Sequence, residues 1–190
     1  MNVLAHLYLS GSSEECMLGN FIGDFVKGKD YLRYSPEVQR GIFMHRHIDA
    51  FTDSHPLVME AKGFFRNPYR KYAGVVVDII FDYFLIKNWD NYSDLTLRRY
   101  TQLAHAALLN HFYQLPQGAR GMLLNFIRNK RILRYASLEG IENTLSTMSK
   151  FTSLPDYATQ AIQIIQEQED EINVRFKAFF AELMQEVSYP

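Results

Sequence analysis

The sequence predicts an all-α protein, a single-domain helical bundle over residues 1–190. Three observations predict it. Only 6 prolines and 10 glycines punctuate 190 residues, which leaves long stretches free to form helix. No stretch shows clean alternation of apolar and polar residues between turn signals, the mark of a half-buried strand. Hydrophobic residues make up 47% of the chain, with 14 Phe and 12 Tyr, and large aromatic side chains can fill a real core at this length.

The elements follow in order. Ser12-Ser13-Glu14-Glu15 is a helix start, and Lys27-Gly28-Lys29-Asp30 is a stop, which predicts a helix over 13–27. Pro36, behind Ser35, sits at a first-turn position and opens a helix over 36–52. His55-Pro56 starts a short helix reaching 65. Asn67-Pro68-Tyr69 starts a longer one reaching 88, whose centre, Gly74 to Ile86, is apolar nearly all round. Its β-branched residues would also suit a buried strand, but its length and the following Trp89 favour helix. Leu95, Leu97, Leu103, Leu108 and Leu109 mark a helix over 93–111, which Pro116-Gln117-Gly118 ends. Shorter helices follow over 118–128 and 138–149. Pro155 begins a last helix to Val187, with Ile162, Ile165, Ile172, Phe176, Phe179, Phe180 and Leu183 spaced three to four apart. The acidic run Gln166 to Glu171 inside it reads as a solvated face.

Length and charge narrow the function. A chain of 190 residues suits one domain. The metal-site motifs described below fall in 1–90, and 91–190 supplies supporting helices. Net charge is −1, from 20 basic and 21 acidic residues, without the basic excess usual in nucleic-acid binders. The lone Cys16 excludes an internal disulfide framework and a Cys-rich zinc site. No apolar run approaches the ~20 residues needed to cross a bilayer, and no membrane association is expected. Met1 to Ser10 does not read as a signal peptide, having no basic residue ahead of its apolar pieces. The expected location is the cytoplasm.

The informative residues are polar groups in apolar company. In the stretch 41–55, His45, Asp49 and Asp53 are four apart and share one helix face, whereas His47 points elsewhere. An imidazole and two carboxylates on one face form a divalent-metal pattern. Asp78 and Asp82 are also four apart, on the most apolar helix of the chain, and buried Asp needs a partner. If that helix packs against 41–55, all these groups converge. Asp24 in Gly23-Asp24-Phe25 and His6 in Ala5-His6-Leu7 are further candidates. Simpler roles stay open for each. His6 could be a hydrogen-bonded core histidine, Asp24 a helix-end turn residue and Asp53 an N-cap. Asp78 and Asp82 could pair with Arg46 or Arg70. His105 and His111 read as structural residues of an amphipathic helix.

These residues lie in motifs that resemble a known family. Met1-Asn2-Val3-Leu4-Ala5-His6-Leu7, Gly19-Asn20-Phe21-Ile22-Gly23-Asp24-Phe25-Val26-Lys27-Gly28, His45-Arg46, Ile48-Asp49, Phe51-Thr52-Asp53-Ser54-His55-Pro56 and Tyr72 to Ile79 with Phe81-Asp82 resemble the acyl carrier protein phosphodiesterases. That family is similar to the helical, metal-dependent HD-type phosphohydrolases. The resemblance implies a hydrolase acting in lipid metabolism. It would cleave the 4′-phosphopantetheine–serine phosphodiester of holo acyl carrier protein, using a divalent metal, typically Mn2+ with Mg2+ as the other choice. Tyr8 and Tyr83 depart from the pattern, standing where relatives often carry histidine.

Within this expectation, His45, Asp49 and Asp82 are the first candidate metal ligands, and Asp24 and His6 are further ones. Asp78 or Asp53 would orient or deprotonate the attacking water. Arg46 would contact the phosphate, and His55 would protonate the leaving serine oxygen. Carrier proteins are acidic, so a basic docking patch is expected, either Lys62, Arg66, Arg70 and Lys71 or Arg128, Lys130, Arg131 and Arg134. Two other readings stay open on the residues alone: a metal phosphohydrolase acting on a small nucleotide or pantetheine ester, and a non-catalytic helical binding protein.

Overall fold

A computed structural model describes residues 1–188. The all-α expectation is borne out: the described residues form eleven α-helical segments joined by turns and short 3-10 turns, and no strand occurs among them. They fall into two compact units, each described here by itself.

The first unit comprises Val3–Ala50 and Trp89–Leu133. It opens with α1 (Val3–Leu9), a short helix that the sequence reading left unassigned, and α2 (Glu14–Ile22). The Ser13 side chain caps α2 by accepting from the Cys16 N–H. The expected helix 13–27 ends earlier than its pattern suggests, tightening into a 3-10 turn at Gly23–Phe25. α3 (Pro36–Ser54) begins with Pro at its first position, as expected, and crosses from this unit into the other after Ala50. α2 and α3 meet backbone to backbone. A Cβ on Gly19 would stand 2.0 Å from the Val38 carbonyl oxygen, and one on Gly41 would stand 2.1 Å from that of Cys16. Only glycine fits at either place. α6 (Leu97–Asn110), capped by Thr96, and α7 (Gln117–Arg128) complete the unit, with α2 packed on both α1 and α6. Leu4, Leu7, Leu18, Ile22, Ile42 and Leu123 form its buried centre.

The second unit comprises Met1–Asn2, Phe51–Asn88 and the described chain from Arg134. α4 runs from Pro56 to Tyr69, longer than expected. Pro68 lies in its last turn instead of opening the next helix. A 3-10 turn at Arg70–Tyr72 then leads into α5 (Ala73–Lys87). The apolar stretch read as a buried helix is one: Val76, Val77, Ile79, Ile80, Phe81, Phe84 and Leu85 are all buried. α5 packs on α4, on α9 (Leu138–Phe151) and on α11 (Glu169–Ser188). Between the units' helices in sequence, α8 (Arg131–Arg134) is a single turn that spans the boundary. The single helix expected over 155–187 is instead α10 (Ala158–Glu167) followed by α11, broken at Gln168. Glu169, Asp170 and Glu171 form the first turn of α11, where acidic groups favour the helix dipole. Glu169 also pairs with Lys87 and accepts from the Tyr83 hydroxyl at 3.1 Å, so the acidic run is not purely a solvated face. Phe81, Phe84, Phe176, Phe179 and Phe180 build the aromatic core, with Phe81 and Phe176 ring centroids 5.4 Å apart.

Candidate active site

The first unit gathers His6 from α1, Asn20 from α2, Asp24 from the 3-10 turn after it, and His45 and Asp49 from α3. His6, Asn20 and His45 are buried, whereas Asp49 is partly open and Asp24 is largely exposed. The two imidazoles stack with centroids 4.3 Å apart, 25° from parallel. The close approach of α3 to the 3-10 turn depends on Gly23, where a Cβ would stand 2.2 Å from the His45 ring.

Each histidine is held by its Nδ1. That of His6 lies 2.8 Å from Asn20 Oδ1, and that of His45 lies 2.8 Å from the Asn20 carbonyl oxygen. Both Nε2 atoms are buried and have no hydrogen-bond partner. They face carboxylates at ion-pair distance: His6 Nε2 is 3.2 Å from Asp49 Oδ1, and His45 Nε2 is 3.2 Å from Asp49 Oδ2 and 3.4 Å from Asp24 Oδ1. One ligand atom from each of His6, His45 and Asp49 lies within 4.8 Å of the others. Those three residues could hold a divalent cation, with Asp24 beside them as a further oxygen donor. Two ring nitrogens and carboxylate oxygens suit a first-row divalent ion better than an all-oxygen cage would.

The charges are strongly coupled. Burial pushes the His6 pKa down, against the raising effect of Asp49. Burial acts on His45 in the same direction, but the Asp24 and Asp49 carboxylates outweigh it and raise its pKa to about 9. Burial would raise the Asp49 pKa, yet His45 and His6 beside it hold the carboxyl well below the usual range. His45 likewise lowers the pKa of Asp24. The stacked imidazole pair therefore carries one positive charge more readily than two, and that charge sits on His45.

Of the residues nominated from sequence, His6, His45, Asp49 and Asp24 come together here. Arg46 lies one residue past His45. Its guanidinium donates to the Val26 carbonyl at 2.9 Å and stands 5.9 Å and 5.7 Å from the Tyr31 and Phe43 ring centroids. His47 is exposed. The other nominated residues belong to the second unit. Asp82 is fully buried on α5. Asp78 Oδ1 lies 3.4 Å from the Met1 amino group. Asp53 is not the cap of α4 but pairs with Lys62 at 3.3 Å. His55 caps that helix, its Nδ1 accepting from the Leu57 N–H, while its Nε2 lies 3.1 Å from Glu182. Tyr8 donates to the Tyr92 carbonyl at 2.8 Å.

Asn20 lies in the Gly19 to Gly28 motif but carries no charge that would mark it as a site residue. A polar amide between Gly19 and Phe21 on a helix whose other middle residues are buried was the available signal.

The family model described as acyl carrier protein phosphodiesterase matches residues 1–183. An acyl carrier protein phosphodiesterase of Photorhabdus laumondii is 33% identical over 97% of this chain and 94% of its own. One of Yersinia enterocolitica is 37% identical over 78% of each chain, and one of Escherichia coli O6:H1 is 32% identical over 99% of this chain and 98% of its own. No solved structure gives a significant match. The chain belongs to the acyl carrier protein phosphodiesterase family.

Proposed function

We propose that the chain is a metal-dependent phosphodiesterase acting on holo acyl carrier protein. It hydrolyses the phosphodiester between the carrier serine and 4′-phosphopantetheine, leaving apo carrier protein and free 4′-phosphopantetheine. Family membership supports the substrate. The observation that carries the chemistry is the pair of buried Nε2 atoms converging on the Asp49 carboxylate. Ring nitrogens and carboxylate oxygens gathered in one buried corner need a positive charge among them, and a cation held by His6, His45 and Asp49 would supply it.

A phosphodiester resists hydrolysis because its negative charge repels nucleophiles. A divalent ion at this site, Mn2+ in the first instance and Mg2+ in the second, would neutralise that charge and acidify a bound water. The protein's own groups do the rest. His6 and His45 present nitrogen lone pairs in fixed directions. Asp49 supplies negative charge between them. Asp24, exposed at the rim, is placed to accept a proton from an attacking water. Arg46 is held by Val26 and two aromatic rings and keeps guanidinium donors for phosphate oxygens. No described helix is long and apolar enough to cross a membrane, and we place the reaction in the cytoplasm, where the buried free thiol of Cys16 would stay reduced.

The test is incubation of holo carrier protein with the purified chain and Mn2+, followed by intact-mass measurement. The expected product has lost the phosphopantetheine arm, and its formation stops when the metal is chelated. Retention of the arm with Mn2+ bound would remove this reading.

A further inference from the structure

We propose that Asn20 is the positioning residue of the histidine pair: it holds Nδ1 of both His6 and His45 as the N–H, and so turns both Nε2 atoms toward Asp49, leaving them as the nitrogens that can bind a metal. This inference rests on the metal reading above.

The hydrogen bonds leave no freedom in the assignment. The Asn20 amide nitrogen donates to the His6 carbonyl at 2.8 Å and to Ser10 Oγ at 3.0 Å. A carbonyl oxygen can only accept, and the Ser10 hydroxyl already spends its proton on that same carbonyl at 2.8 Å. The NH2 group must therefore face this corner, and Oδ1 must face His6. Because Oδ1 only accepts, the His6 nitrogen 2.8 Å away must be an N–H. A neutral imidazole protonated at Nδ1 has its lone pair on Nε2. The main chain repeats the logic. The Asn20 carbonyl accepts from His45 Nδ1 at 2.8 Å, which makes that nitrogen an N–H as well.

Asn20 is fully buried, so water cannot stand in for a lost contact. The residue before it, Gly19, lies against the Val38 carbonyl with no room for a Cβ. The backbone that carries both contacts is therefore pinned between α2 and α3. One residue orients two candidate ligands, through its side chain for His6 and through its main chain for His45. Partners of this kind typically tune metal affinity by 10–100-fold. A side-chain substitution should disturb His6 and spare His45, since a main-chain carbonyl survives it.

Three variants test this. Asn20→Leu removes both side-chain functions. Asn20→Asp keeps an acceptor for His6 Nδ1 but loses the donations to His6 and Ser10. Ser10→Ala removes one partner of Asn20 without touching the ring. Three readouts are taken: the Mn2+ dissociation constant, the thermal midpoint, and the 15N imidazole shifts of the metal-free protein. Asn20→Leu should weaken Mn2+ by about 10–100-fold and shift His6 away from its Nδ1–H form, leaving His45 in place. Asn20→Asp and Ser10→Ala should lower the thermal midpoint but keep Mn2+ affinity close to that of the unmodified protein. Mn2+ affinity that follows the thermal midpoint across all variants would show a merely structural residue and overturn the proposal. If Asn20→Leu does not fold, the other two variants still make that comparison. Failure of the unmodified chain to bind Mn2+ would overturn the metal reading, whereas an unaltered His6 tautomer in Asn20→Leu would overturn the role of Asn20 alone.

Discussion

His6 and His45 lie face to face with ring centroids 4.3 Å apart, and both turn a buried Nε2 toward the two oxygens of Asp49. Two like charges at that separation repel strongly, so the metal-free pair holds one positive charge, on His45, whose pKa is raised to about 9. The sign for stability follows. A histidine whose folded pKa exceeds its unfolded value of ~6.5 stabilises the fold fully below that value. The contribution is lost as pH rises through the folded pKa. The chelator-treated protein is therefore expected to lose thermal stability between pH 6.5 and about 9. The Mn2+-induced gain in thermal midpoint should grow over the same window, because binding no longer has to expel that proton. Melting curves across this range, with and without Mn2+, check both slopes. A metal-induced gain that is flat with pH would count against His45 as a ligand.

Asp49 lies within ion-pair distance of both Nε2 atoms. Asp49→Ala should remove a charged ligand and weaken Mn2+ binding by more than the ~10–100-fold expected of an outer partner, with hydrolysis of the carrier protein lost in parallel. It also takes away one of the two carboxylates, the other being Asp24, that sustain the His45 proton, so the His45 pKa should fall. Equilibrium metal binding and a histidine NMR titration measure the two effects separately. Full metal binding and full activity in Asp49→Ala would sink the assignment.

The sequence pattern revealed the ligand face of α3 because a helix places residues four apart on one side, which joins His45 to Asp49. His6 and Asp24 stood out as charged or titratable groups among apolar neighbours. Asn20 did not, because an amide carries no charge, and its importance lies in a carbonyl and a side chain meeting two distant rings. The start of α11 was hidden for another reason. The apolar spacing runs on through Ile165 and Ile172, and the break between them is made at Gln168, where the acidic first turn of a new helix begins. Pro68 misled in the opposite direction. It resembles a helix start but sits in the closing turn of α4, where the chain reaches Arg70 at a positive φ of 49°.

Gly23 offers a probe that replaces no candidate ligand. A methyl group there would stand 2.2 Å from Cγ of His45, so Gly23→Ala must push the ring or the 3-10 turn aside. Overpacking of this kind costs about 1–3 kcal/mol. Because the displaced group is itself a candidate ligand, Mn2+ affinity should fall further than stability alone explains. Denaturant unfolding of the metal-free variant gives the first quantity, and Mn2+ titration of the folded variant gives the second. A stability loss with unchanged affinity would show that the ring can move without harm to the site.

Arg70 tests the docking surface. It is an exposed, non-glycine residue at φ 49° and ψ −119°, a conformation that costs an L-residue of order 1–3 kcal/mol. Glycine adopts such a backbone without that strain. Arg70→Gly should therefore raise stability by about 1 kcal/mol, the strain relief being partly offset by the greater freedom of the unfolded chain. A surface arginine retained at a cost in stability fits a partner-binding role. With Arg66 and Lys71 exposed beside it, it would face an acidic carrier protein, and the gain in stability should come with a higher KM for that substrate. Attraction of this type weakens as salt rises, so the KM of the unmodified protein should climb with ionic strength, and Arg70→Gly should flatten the climb. Thermal melts and a salt series of carrier-protein hydrolysis measure both. A stabilised Arg70→Gly protein with unchanged KM and unchanged salt dependence would move the docking surface away from α4 and leave the Arg128 to Arg134 segment as the basic patch to test.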